Sequence, residues 1–127
     1  MSRLTNAEAA HLSRAVKVAT TSTMRQRHGA VIGLGRKTLA VGVNAFRSHP
    51  MHVTDPKREA SFHAEVAVLR QLNYAINDKA VLFVARVNNA GDAMLSMPCP
   101  GCRIEIAKAG IRTVVFTVEK GYGVIHV

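Results

Sequence analysis

The chain has 127 residues, enough for one domain and too few for two of ordinary size, so we expect a single domain over residues 1–127. Hydrophobic residues make up 48% of it, which argues against disorder, whereas aromatic residues make up 5%, which argues against a broad base-stacking platform for single strands. Seventeen Lys and Arg against eight Asp and Glu leave a net charge of +9, which favours polyanions or phosphorylated ligands but also suits a merely solubilising surface.

The first predicted helix runs from Thr5 to about Thr20, with Thr5 or Asn6 as its cap. Its apolar residues recur at helical spacing: Ala9, Leu12, Val16 and Ala19. This opening stretch lacks the apolar core of a secretory signal, and no run in the sequence is long enough to cross a membrane. We therefore expect a cytoplasmic protein without membrane contact, where two cysteines are more often metal-bound or catalytic than disulfide-bonded.

A β-hairpin is predicted after the first helix. Its two strands, Ala30–Leu34 and Thr38–Val43, flank the turn residues 35–37. The segment Arg47–Lys57 then has two prolines, two histidines and no apolar period. It is predicted to be a loop, and its length indicates a functional role.

The second half of the sequence alternates helices with strands. A helix is predicted from about Phe62 to Ala75, followed by a strand over Lys79–Asn88 that is buried on both faces. After a turn, a short extended segment over Ala93–Met97 leads to a third helix, Cys99–Gly110, and a second buried strand, Ile111–Val118. This alternation is typical of an α/β sandwich.

The C-terminal segment after residue 118 allows one turn and one short strand. If Val124–Val127 pairs with the preceding strand, the pairing must be antiparallel, because the connection Glu119–Gly123 is too short for a helical crossover.

Four chemically reactive residues stand at the starts of the second and third helices. His63 and Glu65 precede an apolar helix body, and Cys99 and Cys102 form a C-x-x-C motif. One imidazole and two thiolates are three zinc ligands, and a three-ligand site keeps a position open for water, which is the catalytic pattern. Helix N-termini stabilise thiolates. Glu65, two positions from His63, is placed to shuttle protons beside the metal rather than to bind it.

Two other interpretations of the C-x-x-C motif stay open. A structural zinc site would need a fourth ligand, and none of the remaining histidines lies at ligand spacing from the cysteines. A redox pair would be expected in a thioredoxin-like context, which the residues around Cys99 do not provide.

The two motifs carry a family resemblance. The sequence HAE at residues 63–65, followed by PCPGC at 98–102, resembles the zinc-dependent cytidine and deoxycytidylate deaminase superfamily. The stretch PCPGCRIEIAKAGIRTVVFT resembles the zinc helix and next strand of deoxycytidylate deaminases, and GVNAFRSHP resembles the end of their second strand. The likeness spans roughly Arg27 to Thr117 and looks closest to small bacterial and phage members. It implies a three-layer α-β-α sandwich with a central mixed sheet of about five strands.

The resemblance also implies catalytic roles. His63, Cys99 and Cys102 would bind Zn²⁺, and zinc-bound hydroxide would attack C4 of cytosine. Glu65 would protonate the ring N3 and carry protons to the departing ammonia.

Substrate contacts are expected from several further residues. By resemblance, the backbone N–H of Ala64 would bind the pyrimidine carbonyl, the backbone near Ser96 and Met97 would accept from the exocyclic amine, and Asn44 would hold the sugar. Two more candidates come from their positions in the sequence. Arg47 could donate hydrogen bonds to a substrate phosphate, and the alternative is that it is an exposed residue of a solvated loop. Tyr122 is expected at the rim of the site.

Three functions follow from these expectations. The first is hydrolytic deamination of a free cytosine nucleotide or nucleoside of the dCMP, CMP or cytidine type. The second is deamination of cytosine, or adenine, within single-stranded DNA or RNA, which the charge of +9 supports. The third is a non-catalytic, zinc-stabilised nucleic-acid-binding module. The resemblance also implies a homo-oligomer.

Overall fold

The computed structural model describes residues 4–23, 26–46, 61–62, 64–71 and 77–127, and at residues 45–46, 61–62, 65–67 and 70 the description is confined to the backbone. These ranges contain the helices α1 (Asn6–Ala19), α2 (Ala64–Gln71) and α3 (Pro100–Lys108). They also contain the strands β1 (Arg27–Leu34), β2 (Lys37–Val43), β3 (Ala45–Phe46), β4 (Ser61–Phe62), β5 (Val81–Val87), β6 (Ala93–Met94), β7 (Thr113–Val118) and β8 (Gly121–His126).

The main sheet is mixed, as predicted. Its strands lie in the order β2-β1-β5-β7-β8, and the short strand β6 pairs with β5 outside this row. β1 is antiparallel to both β2 and β5, β5 is parallel to β7, and β8 is antiparallel to β7. β2, β5 and β7 therefore run in the same direction, and their carboxyl ends lie at one edge of the sheet.

Helices cover both faces of this sheet. On one face, Ala15 of α1 belongs to a buried cluster with Phe83 of β5. On the other face, Val68 of α2 and Ile106 of α3 belong to a larger buried cluster with Val84. Neighbouring side chains of a strand point to opposite faces, which is why the central part of a strand covered on both sides is apolar. The three-layer α-β-α sandwich is confirmed.

The first helix begins where the sequence predicts. The side chain of Thr5 accepts from the backbone N–H of Glu8 at 3.1 Å, and the Glu8 carboxylate accepts from the backbone N–H of Thr5 at 2.8 Å, which is a capping box. None of the helices in the described ranges is both long enough and apolar enough to cross a membrane.

Several boundaries differ from the prediction because long-range pairing extends or shortens the elements. β1 begins at Arg27, not Ala30, because its first residues pair with β5. α2 begins at Ala64, because Ser61–Phe62 pairs with Ala45–Phe46 instead of joining the helix. The antiparallel pairing of the last strand is confirmed, although β8 begins earlier than predicted. The predicted loop over Arg47–Lys57 lies outside the described residues.

Candidate functional site

The edge formed by the carboxyl ends of β2, β5 and β7 carries the starts of both α2 and α3. Gly42, near the end of β2, lies under the first turn of α2, since a Cβ at this residue would lie 3.0 Å from the carbonyl oxygen of Ala64. α3 follows β6, which pairs with the end of β5. The fold therefore brings the two helix starts that bear the predicted ligands to the same edge.

Cys99 and Cys102 lie together at the start of α3. Cys99 is the N-cap residue, with φ −68° and ψ 162°, and its sulfur accepts from the backbone N–H of Cys102 at 3.5 Å. Cys102 is buried, and Cys99 is half-buried against the same apolar cluster. Two sulfur donors on the positive end of a helix are suited to a thiophilic cation such as Zn²⁺.

The remaining members of the proposed metal site are described only in part. Ala64 is fully buried in the first turn of α2, and Glu65 follows it in the helix, with only its backbone described. His63 lies outside the described residues. Among the residues that the structure does describe, no three His, Cys, Asp or Glu side chains come close enough to hold a metal ion. The three-ligand set thus stays a prediction, and its two cysteine members both lie at the start of α3.

Ser96, which precedes the cysteines in the chain, is hydrogen-bonded to both β5 and β7. Its hydroxyl donates to the carbonyl oxygen of Val84 at 2.9 Å and accepts from the N–H of Thr117 at 2.8 Å, and its own N–H donates to the carbonyl oxygen of Thr117 at 3.0 Å. Met97, next in the chain, is 42% exposed. Among the described residues, no backbone N–H donates to the carbonyl oxygens of Ser96 and Met97. These are the backbone groups that were predicted to accept from a substrate amine.

Asn44, predicted to hold a sugar, is buried and hydrogen-bonded within the protein. Its Oδ1 accepts from the hydroxyl of Ser22 at 2.7 Å and from the N–H of His28 at 2.9 Å, and its Nδ2 donates to the carbonyl oxygen of Gln26 at 2.7 Å. These bonds tie the end of β2 to the start of β1. One amide hydrogen remains for another acceptor, so a substrate contact stays a prediction.

The structure does not bring Tyr122 to the cysteines. Tyr122 packs against the cluster under α1, with Val115 and Phe83, whereas Cys99 and Cys102 pack against the cluster on the opposite face of the sheet. Its predicted place at the rim of the site gains no support from this position. Arg47, which was predicted to bind a substrate phosphate, lies outside the described residues.

Two residues that the sequence analysis did not single out contribute to this edge. Thr117 binds Ser96, and Arg103 donates from Nε to the carbonyl oxygen of Pro98 at 3.0 Å. A threonine within a buried apolar strand is an ordinary β-former, so the sequence offered no signal for Thr117. Arg103 is four residues after Cys99 and therefore on the same side of the helix, which is a signal that could have been used.

Solved structures of deaminases share this fold. The chain is similar to the dCMP deaminase of cyanophage S-TIM5 in its apo form, at 24% identity and a TM-score of 0.64, over 88% of this chain and 82% of that one. The same phage enzyme in complex with dCMP and dUMP matches at 22% identity and a TM-score of 0.61, over 91% and 83%. A cytidine deaminase from Burkholderia pseudomallei matches at 17% identity and a TM-score of 0.68, over 97% and 93%. At these identities the likeness establishes the fold.

The family is established by the sequence. No curated protein matches the chain at a significant level. Residues 5–118, however, match the model of the cytidine and deoxycytidylate deaminase zinc-binding region. The chain therefore belongs to the cytidine and deoxycytidylate deaminase family and is a zinc-dependent deaminase.

Proposed function

We propose that this deaminase hydrolyses the amino group of cytosine in a free nucleotide or nucleoside, of the dCMP, CMP or cytidine type, to give the uracil form and ammonia. The observation that carries the proposal is the pairing of Cys99 and Cys102 at the start of α3, on the sheet edge where α2 also begins. The similar phage enzyme was solved with dCMP and dUMP, which supports a pyrimidine nucleotide as ligand.

The proposed metal ligands are His63, Cys99 and Cys102. Zinc, when bound, supplies a Lewis acid that lowers the pKa of a water molecule toward about 7. Glu65 is the proposed proton carrier: it takes a proton from the attacking water and delivers it to N3 of the ring. After the addition it takes the proton of the new C4 hydroxyl and gives it to the amino group, which leaves C4 as ammonia while the C4 carbonyl forms. The overall reaction consumes one water and is balanced without an external oxidant or reductant.

The proposed substrate contacts divide between backbone and side chains. The N–H of Ala64 binds the pyrimidine carbonyl, and the carbonyl oxygens of Ser96 and Met97 accept from the exocyclic amine. The internal hydrogen bonds of Ser96 support this role, because an acceptor held in place loses little entropy when it binds. Asn44 is proposed to reach the sugar and Arg47 a phosphate.

A second candidate function is favoured by one observation, the net charge of +9. Positive charge supplies most of the non-specific affinity for nucleic acid, so cytosine within single-stranded DNA or RNA is the alternative substrate. A panel of dCMP, CMP, cytidine, deoxycytidine and a cytosine-containing oligonucleotide, assayed for ammonia release with the zinc-loaded protein, decides between the two. We expect the free compounds to be turned over and the oligonucleotide to be a poor substrate.

Replacing Glu65 with Gln tests the proposed chemistry. We expect E65Q to keep its bound zinc and to lose at least about 100-fold in kcat, since the amide cannot carry protons. The matched control is E119Q, which changes an exposed carboxylate in the turn between β7 and β8 and should keep wild-type kcat. Equal rates for E65Q and E119Q, or a zinc-loaded wild type that is inactive on every cytosine compound, would contradict the proposal.

A further inference from the structure

Arg103 holds the peptide groups on both sides of Cys99. Its guanidinium Nε donates to the carbonyl oxygen of Pro98 at 3.0 Å, and its backbone N–H donates to the carbonyl oxygen of Cys99 at 2.9 Å. These carbonyls belong to the peptide bonds that precede and follow Cys99. Because each peptide group is planar, holding both of them restricts φ and ψ of the residue between them. One arginine therefore fixes the backbone from which the Cys99 sulfur projects.

The bond from the Arg103 side chain to Pro98 is partly shielded from solvent. Arg103 and its contact with Pro98 are partly buried, and an ionised donor makes a stronger hydrogen bond than a neutral one. A second arm of the same guanidinium, Nη2, lies 2.8 Å from the sulfur of Met97. The planar fork thus spans two consecutive residues, Met97 and Pro98, immediately before Cys99.

The rest of this segment is held at its other end. The guanidinium of Arg86 contacts the carbonyl oxygen of Leu95 at 3.4 Å, and Ser96 is fastened to β5 and β7. Pro100, which follows Cys99 as the first residue of α3, has its φ restricted by its ring. Within this run, Arg103 is the residue whose side chain connects the body of α3 back to the segment that precedes it.

We propose that Arg103 is a positioning residue: by holding the Pro98–Cys99 peptide group in place, it orients the Cys99 sulfur to bind zinc. The inference rests on the proposed function to the extent that Cys99 is one of its metal ligands. Removing the Arg103 side chain should let the segment before α3 move and so let the sulfur leave the metal more often. Partners that orient a metal ligand typically change metal affinity by about 10- to 100-fold when they are replaced.

The test is the rate at which zinc passes from the folded protein to an excess of a chromogenic chelator. We expect R103M, which keeps an apolar stem and loses the donors, to release zinc about tenfold faster than wild type or more. R103K should lie between the two, because an ammonium reaches one acceptor and lacks the rigid fork. The matched control is R14M, which removes an exposed arginine of α1 on the opposite face of the sheet and should release zinc at the wild-type rate.

A merely structural role would lower the melting temperature of zinc-free R103M without changing its zinc-release rate below that temperature. Release from R103M at the R14M rate would overturn the inference, and if R103M does not fold, R103K decides by the same comparison. The assay needs no substrate. A wild type that holds zinc but deaminates no cytosine compound would therefore refute the proposed function and leave this result standing, whereas a wild type that binds no zinc would refute both.

Discussion

At the scale of single residues, Gly42 sets the distance between α2 and the sheet. A Cβ built there would lie 2.9 Å from the backbone nitrogen of Val68 and 3.0 Å from the carbonyl oxygen of Ala64. Both atoms belong to the helix backbone, which cannot rotate away as a side chain would. The absence of a side chain at residue 42 is thus what allows the first turn of α2, with Glu65 in it, to lie directly on β2.

Replacing Gly42 with Ala should push α2 away from β2. We expect the free energy of unfolding of the zinc-free protein to fall by about 1–3 kcal/mol, the usual cost of adding a methyl group to a packed interior. Urea denaturation measures it. The control is G101A in α3, where a Cβ meets nothing within 4 Å, and which should be neutral or stabilising by up to about 1 kcal/mol. Equal stability of G42A and G101A would mean that α2 can shift without cost.

At the scale of elements, the parallel strands β5 and β7 separate at the edge where the cysteines lie. Their register ends with Val84 opposite Phe116, and the hydroxyl of Ser96 then occupies the position between them. Ser96 is 3% exposed and Thr117 is 2% exposed, so both ends of this bridge are removed from water. The bridge fixes the segment before Cys99 to two central strands and thereby relates the start of α3 to the sheet.

Replacing Ser96 with Ala should leave the N–H of Thr117 buried without its acceptor. The expected cost is about 1–3 kcal/mol in the free energy of unfolding, since an unsatisfied buried donor loses its hydration without compensation. Thermal and urea unfolding of S96A are compared with those of S13A, which alters an exposed serine of α1 and should stay within about 0.5 kcal/mol of wild type. Wild-type stability of S96A would show that water replaces the hydroxyl.

The elements differ in how well the sequence predicts them. α1 and β5 were predictable because their signals are local: a cap at Thr5 followed by helical spacing, and an unbroken apolar run over residues 81–85. The start of α2 was not, because Ser61–Phe62 is withdrawn from the helix by pairing with a segment 15 or more residues away. The face of the sheet on which the Tyr122 side chain lies depends on the register of β8 against β7, in which Tyr122 pairs with Thr117. This register cannot be read from the sequence alone.

The proposed site also has features that the local sequence indicates and features that depend on the folded chain. The proposed ligands at residues 63, 99 and 102 stay a prediction from the sequence, made because zinc chemistry restricts its ligands to a few side-chain types and because the two cysteines stand at C-x-x-C spacing. The support of Cys99 by Arg103 and the bridge from Ser96 to Thr117 were not predictable, because each joins common residues whose partners become known only when the chain is folded. Local motifs thus identify the chemistry, whereas the groups that orient it follow from tertiary structure.

At the scale of the whole molecule, the net charge of +9 produces a long-range attraction that any anionic substrate experiences, so binding of nucleic acid does not by itself identify the substrate.

If the substrate is a free nucleotide, a single-stranded oligonucleotide should inhibit dCMP turnover at low salt through phosphate contacts alone. Each neutralised phosphate contributes to the salt dependence, so with about three contacts the inhibition constant should weaken about tenfold or more between about 50 and 200 mM salt. An oligonucleotide of the same length without cytosine should inhibit equally, because the contacts are made to phosphate. Product analysis of the cytosine-containing strand completes the measurement: conversion to uracil with a kcat/KM above that of dCMP at the higher salt would contradict the free-nucleotide proposal and establish the nucleic-acid alternative.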